Sequence, residues 1–348
     1  MKITKNSLLM FGMALLAGCT LTLSSCSDDD DDNDGAGVAG NGSALVKDAK
    51  VLLTSVSNSY NNNDYHEKYS FKYDDKFRVI SAREGGEDEL FFINYGTGKI
   101  TMWGDVENLS ISFNSKGYIT KIQGSYDFNE DGETEKGTIN MTYSYDNSGH
   151  LVNAEANNEL WDEEYYEKTV SKNILTWENG NLTKLEMKEN AYDANDGEEN
   201  YTYIQTFTYG NQPNKYKQYI MAVEEADYAF FTAGLLGVGS EKLPVTEYWV
   251  ETEENKGSVT YKNENSYNGE FTLNEDGTIN TETWINSHGG TDTYKYNYTA
   301  TDNYEPYTAN TRALWNTDKA AGGVKGKLLK NLVKNGPFGH KRMSKKTR

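Results

Sequence analysis

The sequence predicts an all-β fold, an antiparallel β-meander of about sixteen strands built from repeated hairpins. Three observations lead to this prediction. Tyrosine is abundant, with 26 residues, and proline is scarce, with 4, as a fold of many paired strands requires. A short turn phrase recurs along the chain. Runs of alternating residues adjoin its copies or lie between them, and they are clearest at residues 69–73, 109–113, 138–145, 201–209 and 294–298.

The turn phrase is an aromatic or apolar residue, Asp or Asn, two turn residues, Gly, any residue, and a β-branched or aliphatic residue. The Asp or Asn accepts hydrogen bonds from the backbone that follows it, and Gly takes the positive φ that closes the turn. Copies lie at residues 73–79, 95–100, 113–119, 145–151, 177–182 and 273–279. The first has Phe77 in place of Gly, and the second and fifth are shorter. Gly149 follows Gly117 by 32 residues and precedes Gly180 by 31, so successive copies are predicted at one edge of the meander.

Residues 1–25 are predicted to be a lipoprotein signal peptide, with Lys2 and Lys5 before an apolar run without charges. The length of the run also suits a membrane span. Two lipobox-like sequences favour the signal peptide: LAGC, which ends at Cys19, and LSSC, which ends at Cys26. We predict that Cys26 carries the lipid, with Cys19 as the alternative, because Cys26 is followed by Ser27 and then by the acidic run of residues 28–32.

That acidic run resembles the surface-export signal of lipoproteins in certain Gram-negative bacteria. The resemblance implies an outer-membrane protein, lipid-anchored through its acylated cysteine and facing the cell exterior. Several acyl chains hold a protein at a bilayer durably. If Cys26 is acylated, the mature chain has no free thiol, which removes disulfides, cysteine nucleophiles and cysteine-ligated zinc.

Composition divides the remaining chain into three parts. Residues 26–43 are predicted to be an acidic, Gly-rich tether, because they cannot bury enough apolar surface to become ordered. Residues 44–315 are predicted to form the β-meander domain. Residues 316–348 are predicted to be a basic, disordered tail, with ten Lys or Arg and no Asp or Glu from residue 319 onward. By contrast, residues 26–318 hold 53 acidic and 22 basic residues, a net charge of −31.

One segment departs from the strand pattern, at residues 219–243. Its apolar residues predict a short helix or a buried loop that plugs one end or face of the sheet, with Gly237 and Gly239 as stop signals. A strand is predicted to follow at residues 245–250.

These features together resemble a bacterial lipoprotein family, domain of unknown function 4595. The resemblance rests on the turn phrases, the acidic lipoprotein start and the stretch LLGVGSEKLP at residues 235–244. The turn phrase alone is also similar to the YD repeats of Rhs-type shells. The family resemblance implies an antiparallel β-meander, and it implies no established activity and no catalytic residues.

One stretch predicts a metal site. Asp127, Asn129 and Asp131 spell the D-x-N-x-D-G front of a calcium loop, and hard oxygen ligands at alternate positions suit Ca²⁺. The twelfth position is Thr138 rather than the bidentate Glu of an EF-hand. The competing interpretation is an acidic hairpin tip, and no other cofactor is predicted.

Several chemistries are disfavoured. The four His residues show no metal-binding spacing, and no G-x-S-x-G motif is present. The acidic body disfavours nucleic acid as a partner. The predicted function is therefore a non-catalytic binding or structural lipoprotein.

Two further hypotheses come from other classes of protein. A glycan-binding or carbohydrate-active surface protein is the first alternative, because exposed Trp and Tyr rings stack on sugars. Its candidate tryptophans are Trp103, Trp161, Trp177, Trp249 and Trp284. For any single one, packing across strands is the competing interpretation. A calcium-dependent adhesion module that uses Asp127, Asn129 and Asp131 is the second alternative.

Overall fold

The computed structural model describes residues 50–61, 66–85, 88–102, 106–130, 133–161, 166–193, 197–218, 227–255 and 257–307. In them, sixteen antiparallel strands form one closed barrel, which confirms the predicted all-β meander. The strands are β1 (Val51–Tyr60), β2 (His66–Tyr73), β3 (Val79–Glu84), β4 (Asp88–Asn94), β5 (Lys99–Met102), β6 (Val106–Phe113), β7 (Ile119–Glu130), β8 (Glu133–Tyr145), β9 (Leu151–Trp161), β10 (Tyr166–Glu178), β11 (Asn181–Asp193), β12 (Gly197–Pro213), β13 (Lys242–Asn255), β14 (Ser258–Leu273), β15 (Ile279–Asn286) and β16 (Thr291–Ala300). Cys19, Cys26 and the predicted boundaries at residues 44 and 315 lie outside the described residues.

Closure of the barrel comes from the pairing of β1 with β16. Val51 lies opposite Ala300 and Tyr60 lies opposite Asp292, with one irregularity in register between Leu53 and Ser55. All the remaining pairs in the barrel join strands that are consecutive in the sequence. The barrel therefore has no open edge through which another chain could add a strand.

The predicted turns lie at one end of the barrel, as their spacing required. We call this end the repeat end and the other the far end. At the β6–β7 turn, the Asn114 side chain accepts hydrogen bonds from the backbone N–H groups of Lys116 and Tyr118, both at 3.0 Å. Gly117 has a φ of 84°. Gly149 and Gly277 take the same positive φ in their copies, and Phe77 takes it in the copy without Gly.

A further copy of the turn has no glycine. The backbone N–H of Lys217 donates to the carbonyl oxygen of Asn214 at 3.0 Å, and the Asn214 side chain accepts from the N–H of Gln218 at 3.1 Å. Lys217 takes the glycine position with a φ of 51°. This turn follows β12, so it also lies at the repeat end.

The predicted plug is present in the described part of residues 219–243. It contains the helix α1 (Asp227–Thr232), and Phe230 stacks on Phe91 with ring centroids 4.6 Å apart. The backbone after α1 then follows the repeat end. The carbonyl of Leu235 accepts from the N–H of Ile119 at 2.9 Å, and the N–H of Val238 donates to the carbonyl of Gly149 at 3.1 Å. Residues 219–226 lie outside the described residues.

Inward and outward side chains alternate along the strands. Tyr69, Phe91, Met141 and Met187 are fully buried members of one hydrophobic core cluster. The outward side of β14 shows the opposite composition. Its exposed alternate residues are Thr260, Lys262, Glu264, Ser266, Asn268, Glu270 and Thr272. The interior of the barrel thus contains a hydrophobic core cluster, and along β14 the outer wall is polar.

Candidate binding surface

Three aromatic side chains form a row on the outer wall at the far end of the barrel. Trp161 ends β9, Tyr166 begins β10 and lies opposite Trp161, and Tyr192 lies near the end of β11. The ring centroids of Trp161 and Tyr166 are 6.3 Å apart, and those of Tyr166 and Tyr192 are also 6.3 Å apart. Trp161 is 38% exposed and Tyr192 is 45% exposed. We call these three residues the aromatic row.

Local sequence explains why the row points outward. In β9, Leu160 is fully buried, so its neighbour Trp161 faces the other side of the sheet. In β10, the buried Glu167 directly follows Tyr166, and in β11 the buried Ala191 directly precedes Tyr192. The same alternation that builds the core therefore places all three rings on the wall.

Ion pairs flank the aromatic row. Lys136 of β8 lies opposite Trp161, and its ammonium is 2.8 Å from the Asp127 carboxylate on β7. Lys168, the next outward residue of β10, is 3.0 Å from the Glu159 carboxylate. Each Lys charge is thus matched by a carboxylate, and the sequence between Trp161 and Tyr166 adds Asp162, Glu163 and Glu164.

Polar amides complete the surroundings. The Asn190 side chain, next to Tyr192 on the outer side of β11, donates to the Glu198 carboxylate at 2.6 Å and to the Asn200 side-chain oxygen at 3.0 Å. Asn157 is exposed two residues before Glu159 on β9. Val170, 42% exposed, extends the apolar part of this surface along β10.

Of the other predicted tryptophans, three pack into the barrel and do not reach this surface. Trp284 is 1% exposed. The Trp177 indole N–H donates to the carbonyl of Leu151 at 2.8 Å. Trp249 packs, partly buried, against the core. Trp103 lies outside the described residues. From the sequence, each tryptophan could either stack on a sugar or pack between strands. Only the burial of its side chain in the structure distinguishes these two roles.

Two residues of the predicted calcium loop, Asp127 and Asn129, lie on β7 at the far end. Asp127 is exposed and pairs with Lys136, and Asn129 lies in β7 opposite Thr134. Asp131 lies outside the described residues. Within the described ranges, no group of three or more His, Cys, Asp and Glu is placed to hold a metal ion. The calcium site stays a prediction.

A buried carboxyl cluster lies in the barrel wall facing inward. The Gln205 amide donates to one Glu247 oxygen at 2.8 Å, and the other Glu247 oxygen has no hydrogen-bond partner among the described residues. Glu282 accepts from the Trp284 indole N–H and the Tyr296 hydroxyl, both at 2.6 Å. Sequence reasoning missed this cluster, because acidic residues are so numerous that no pairing stands out.

Burial controls the protonation of Glu247. It raises the pKa of Glu247 to about 8; the hydrogen bond from Gln205 opposes the rise, and the neighbouring Glu282 adds to it. Paired carboxyl groups of this kind suit acid–base chemistry only where a substrate reaches them. Glu247 is 1% exposed and Glu282 is fully buried, so both carboxyl groups are packed inside the barrel.

A His–Asp pair lies at the repeat end, within the β8–β9 turn. The imidazole of His150 is 2.9 Å from the Asp146 carboxylate and stacks on the Trp177 ring with centroids 4.2 Å apart. Partial burial favours a higher pKa for Asp146, but the hydrogen bonds from His150 outweigh it and hold the pKa below its usual range. The other ring nitrogen, Nε2, is buried and has no partner in the described structure.

Comparisons with known proteins add a structural likeness. No protein-family model matches the sequence, and no curated protein matches it. The chain is similar to a porin-like protein from Bacteroides vulgatus ATCC 8482, at 14% identity and a TM-score of 0.43, over 71% of this chain and 99% of that chain. It is also similar to a porin-like protein from Bacteroides uniformis ATCC 8492, at 10% identity and a TM-score of 0.27, over 71% of this chain and 98% of that chain. At these TM-scores, neither likeness supports an inference about function.

Proposed function

We propose that the protein is a non-catalytic binding lipoprotein of the outer membrane, anchored through acylated Cys26 and facing the cell exterior. The observation that carries the proposal is the polar outward side of β14. A membrane-spanning barrel needs an outward apolar band about 25 Å tall. The alternating Thr, Lys, Glu, Ser and Asn residues of β14 cannot supply that band, and they suit a barrel that stands in water. Within the described part of the chain, no helix is long and apolar enough to span a membrane.

The positions of the ends of the described chain support the proposed orientation. The carbonyl oxygen of Lys50 accepts from the N–H of Thr301 at 3.0 Å, and the N–H of Tyr307 donates to the carbonyl oxygen of Tyr73 at 2.9 Å. The polypeptide that carries Cys26 is therefore joined to the barrel at the repeat end. In the proposal the repeat end faces the membrane, and the aromatic row, at the far end, faces outward.

The lipid anchor is tested by metabolic labelling with an alkyne analogue of palmitate. Wild-type protein and Cys19→Ala should incorporate the label, and Cys26→Ala should not. If Cys26→Ala is labelled and Cys19→Ala is not, the anchor is Cys19. If both single variants and the Cys19→Ala/Cys26→Ala double variant incorporate as much label as the wild type, the lipoprotein proposal is wrong.

Orientation is tested with cysteines introduced at exposed turn residues. Ser287→Cys lies in the β15–β16 turn at the far end, and Ser148→Cys lies in the β8–β9 turn at the repeat end. On intact cells, a bulky membrane-impermeant maleimide should label Ser287→Cys faster than Ser148→Cys. Equal rates, or no labelling of either variant, would contradict the orientation. The proposed membership of domain of unknown function 4595 is compatible with this account and stays a prediction.

A further inference from the structure

The aromatic row offers a surface whose chemistry identifies a ligand class. Its three rings come from three adjacent strands, one ring for each strand, and adjacent strands lie about 4.8 Å apart. The rings therefore lie one to a strand across the wall, and the planes of neighbouring rings are inclined by 63° for Trp161 and Tyr166 and by 54° for Tyr166 and Tyr192. Each ring borders solvent-exposed polar groups: Lys136 and Lys168 near Trp161 and Tyr166, and Asn190 beside Tyr192.

We propose that the aromatic row binds a neutral oligosaccharide, and this inference rests on the proposed function as a surface binding protein. A sugar ring has an apolar C–H face and a rim of hydroxyl groups. The C–H faces pack on Trp and Tyr rings, and the amides and ion-paired side chains beside the rings hydrogen-bond to the hydroxyls. A line of rings suits a linear chain of sugars.

Charge supports a neutral ligand. The chain has a net charge of −19, which disfavours polyanions such as nucleic acids and acidic polysaccharides. Around the row, Lys136 is paired with Asp127 and Lys168 with Glu159, so neither cation is left to recruit a phosphate or a carboxylate. Asp162, Glu163 and Glu164, which lie between Trp161 and Tyr166 in the sequence, further disfavour an anionic ligand.

The size of the surface argues against a folded protein partner. An aromatic side chain covers about 150–250 Å², so the exposed parts of the three rings amount to about 200–300 Å². A stable protein–protein interface buries about 800 Å² of each partner. A few exposed rings provide less than half of that area, and they match the footprint of a short oligosaccharide.

The test is affinity electrophoresis of the full-length protein in native gels that contain a soluble polysaccharide. The neutral probes are xyloglucan, mixed-linkage β-glucan, galactomannan and soluble starch, and the acidic probe is alginate. We expect at least one neutral probe to retard the protein and alginate not to retard it. Trp161→Ala and Tyr192→Ala should each weaken the retardation about tenfold, the upper range for the loss of one aromatic contact.

Tyr60→Ala is the matched control. Tyr60 is 53% exposed at the far end of β1, outside the aromatic row, so its removal should leave the retardation unchanged. Trp161→Tyr should keep most of the retardation, because a ring is still present. Thermal unfolding of each variant should match wild type, since the altered side chains are exposed.

Three results would overturn the proposal. The first is that no neutral probe retards the protein. The second is that retardation survives both Trp161→Ala and Tyr192→Ala, or falls equally in Tyr60→Ala. The third is a Trp161-dependent cross-link to a protein on the cell surface without polysaccharide binding. Trp161→Ala should still incorporate the palmitate analogue, so failure of glycan binding is separate from failure of the lipoprotein proposal.

Discussion

The Tyr145 hydroxyl donates a hydrogen bond of 2.6 Å to the carbonyl oxygen of Ile119, 26 residues earlier in the chain. Tyr145 is the first residue of one copy of the turn phrase, and Ile119 is the last residue of the preceding copy. The bond therefore links one repeat to the next across the repeat end, and it explains why the first position favours an aromatic ring with a polar tip.

The same link recurs around the barrel. The donor and acceptor pairs are Tyr73 and Leu53, Tyr95 and Val79, Trp177 and Leu151, Tyr209 and Leu182, and Tyr298 and Ile279, at distances from 2.6 to 2.9 Å. Phe113 and Leu273 hold the first position in copies that lack the donor. The turn phrase thus specifies a hairpin and also connects adjacent hairpins.

Tyr145→Phe should lower the free energy of unfolding by about 1 kcal/mol, because it removes one hydrogen-bond donor and keeps the ring. Urea denaturation of the purified protein measures this change. Tyr60→Phe is the control, since Tyr60 is largely exposed and should unfold like wild type. Equal stability of Tyr145→Phe and wild type would show that the link contributes nothing.

Gly237→Ala should destabilise the barrel more than Gly197→Ala. Both glycines have positive φ, 99° and 86°, so both substitutions carry a backbone cost of about 1 kcal/mol. Only at Gly237 would the added Cβ also clash with the carbonyl oxygen of Gly149, where the plug crosses the β8–β9 turn. We expect about 3 kcal/mol for Gly237→Ala by thermal or urea unfolding. Equal costs for the two variants would mean that the plug does not pack tightly there.

Lys217→Gly should be more stable than Lys217→Ala by about 0.5 kcal/mol, because Lys217 holds a φ of 51° that Gly adopts more easily. Both variants lose the exposed ion pair with Glu241, so their comparison isolates the backbone conformation. Urea unfolding of the two variants in parallel gives the difference. A more stable Lys217→Ala would contradict the assignment of this turn to the repeat.

Ionisation of Glu247 should make the barrel less stable as pH rises. Its pKa is about 8 in the folded state and 4.5 in the unfolded state, so between these values the folded state holds a proton that the unfolded state releases. The contribution of Glu247 protonation to the free energy of unfolding is complete below pH 4.5 and is lost as pH rises through about 8. The change is on the order of 5 kcal/mol for this shift.

Glu247→Gln should remove this pH dependence while keeping an oxygen that accepts from Gln205. Urea unfolding at pH 5, 7 and 9 measures the free energy of unfolding of wild type and variant. Glu264→Gln, on the exposed side of β14, is the control and should keep the wild-type slope over this range. If the free energy of unfolding of Glu247→Gln falls with pH as steeply as that of wild type, another group is responsible for the pH dependence.

Local features of the fold were predictable from the sequence. The hairpins follow from Asp or Asn and Gly at fixed spacing, because the hydrogen bonds that close each turn lie within five residues. The turn at residues 214–218 was missed because Lys217 replaces Gly and Pro213 precedes the Asn. Closure was left open, since pairing of β1 with β16 joins residues about 240 positions apart and leaves no local signal.

The candidate site was only partly predictable. Residues 161–166 stand out in the sequence as an aromatic and acidic cluster, but Tyr192 is 26 residues beyond Tyr166 and joins it only through the register of β10 and β11. Trp177 and Trp284 look equally suited to stacking in the sequence. Whether a ring can stack on a ligand depends on whether it lies on the inner or the outer side of the sheet. The inner and outer sides are defined only once the strands have closed into a barrel.

The central claim is that the barrel stands in water and that only its lipid anchor contacts the membrane. The most direct test is Triton X-114 phase partitioning of the chain from Ser27 to Arg348, which lacks the signal peptide and both cysteines, beside the wild-type lipoprotein. We predict that the truncated chain enters the aqueous phase with a cooperative thermal transition, and that the wild type enters the detergent phase. A folded truncated chain that enters the detergent phase would contradict the account.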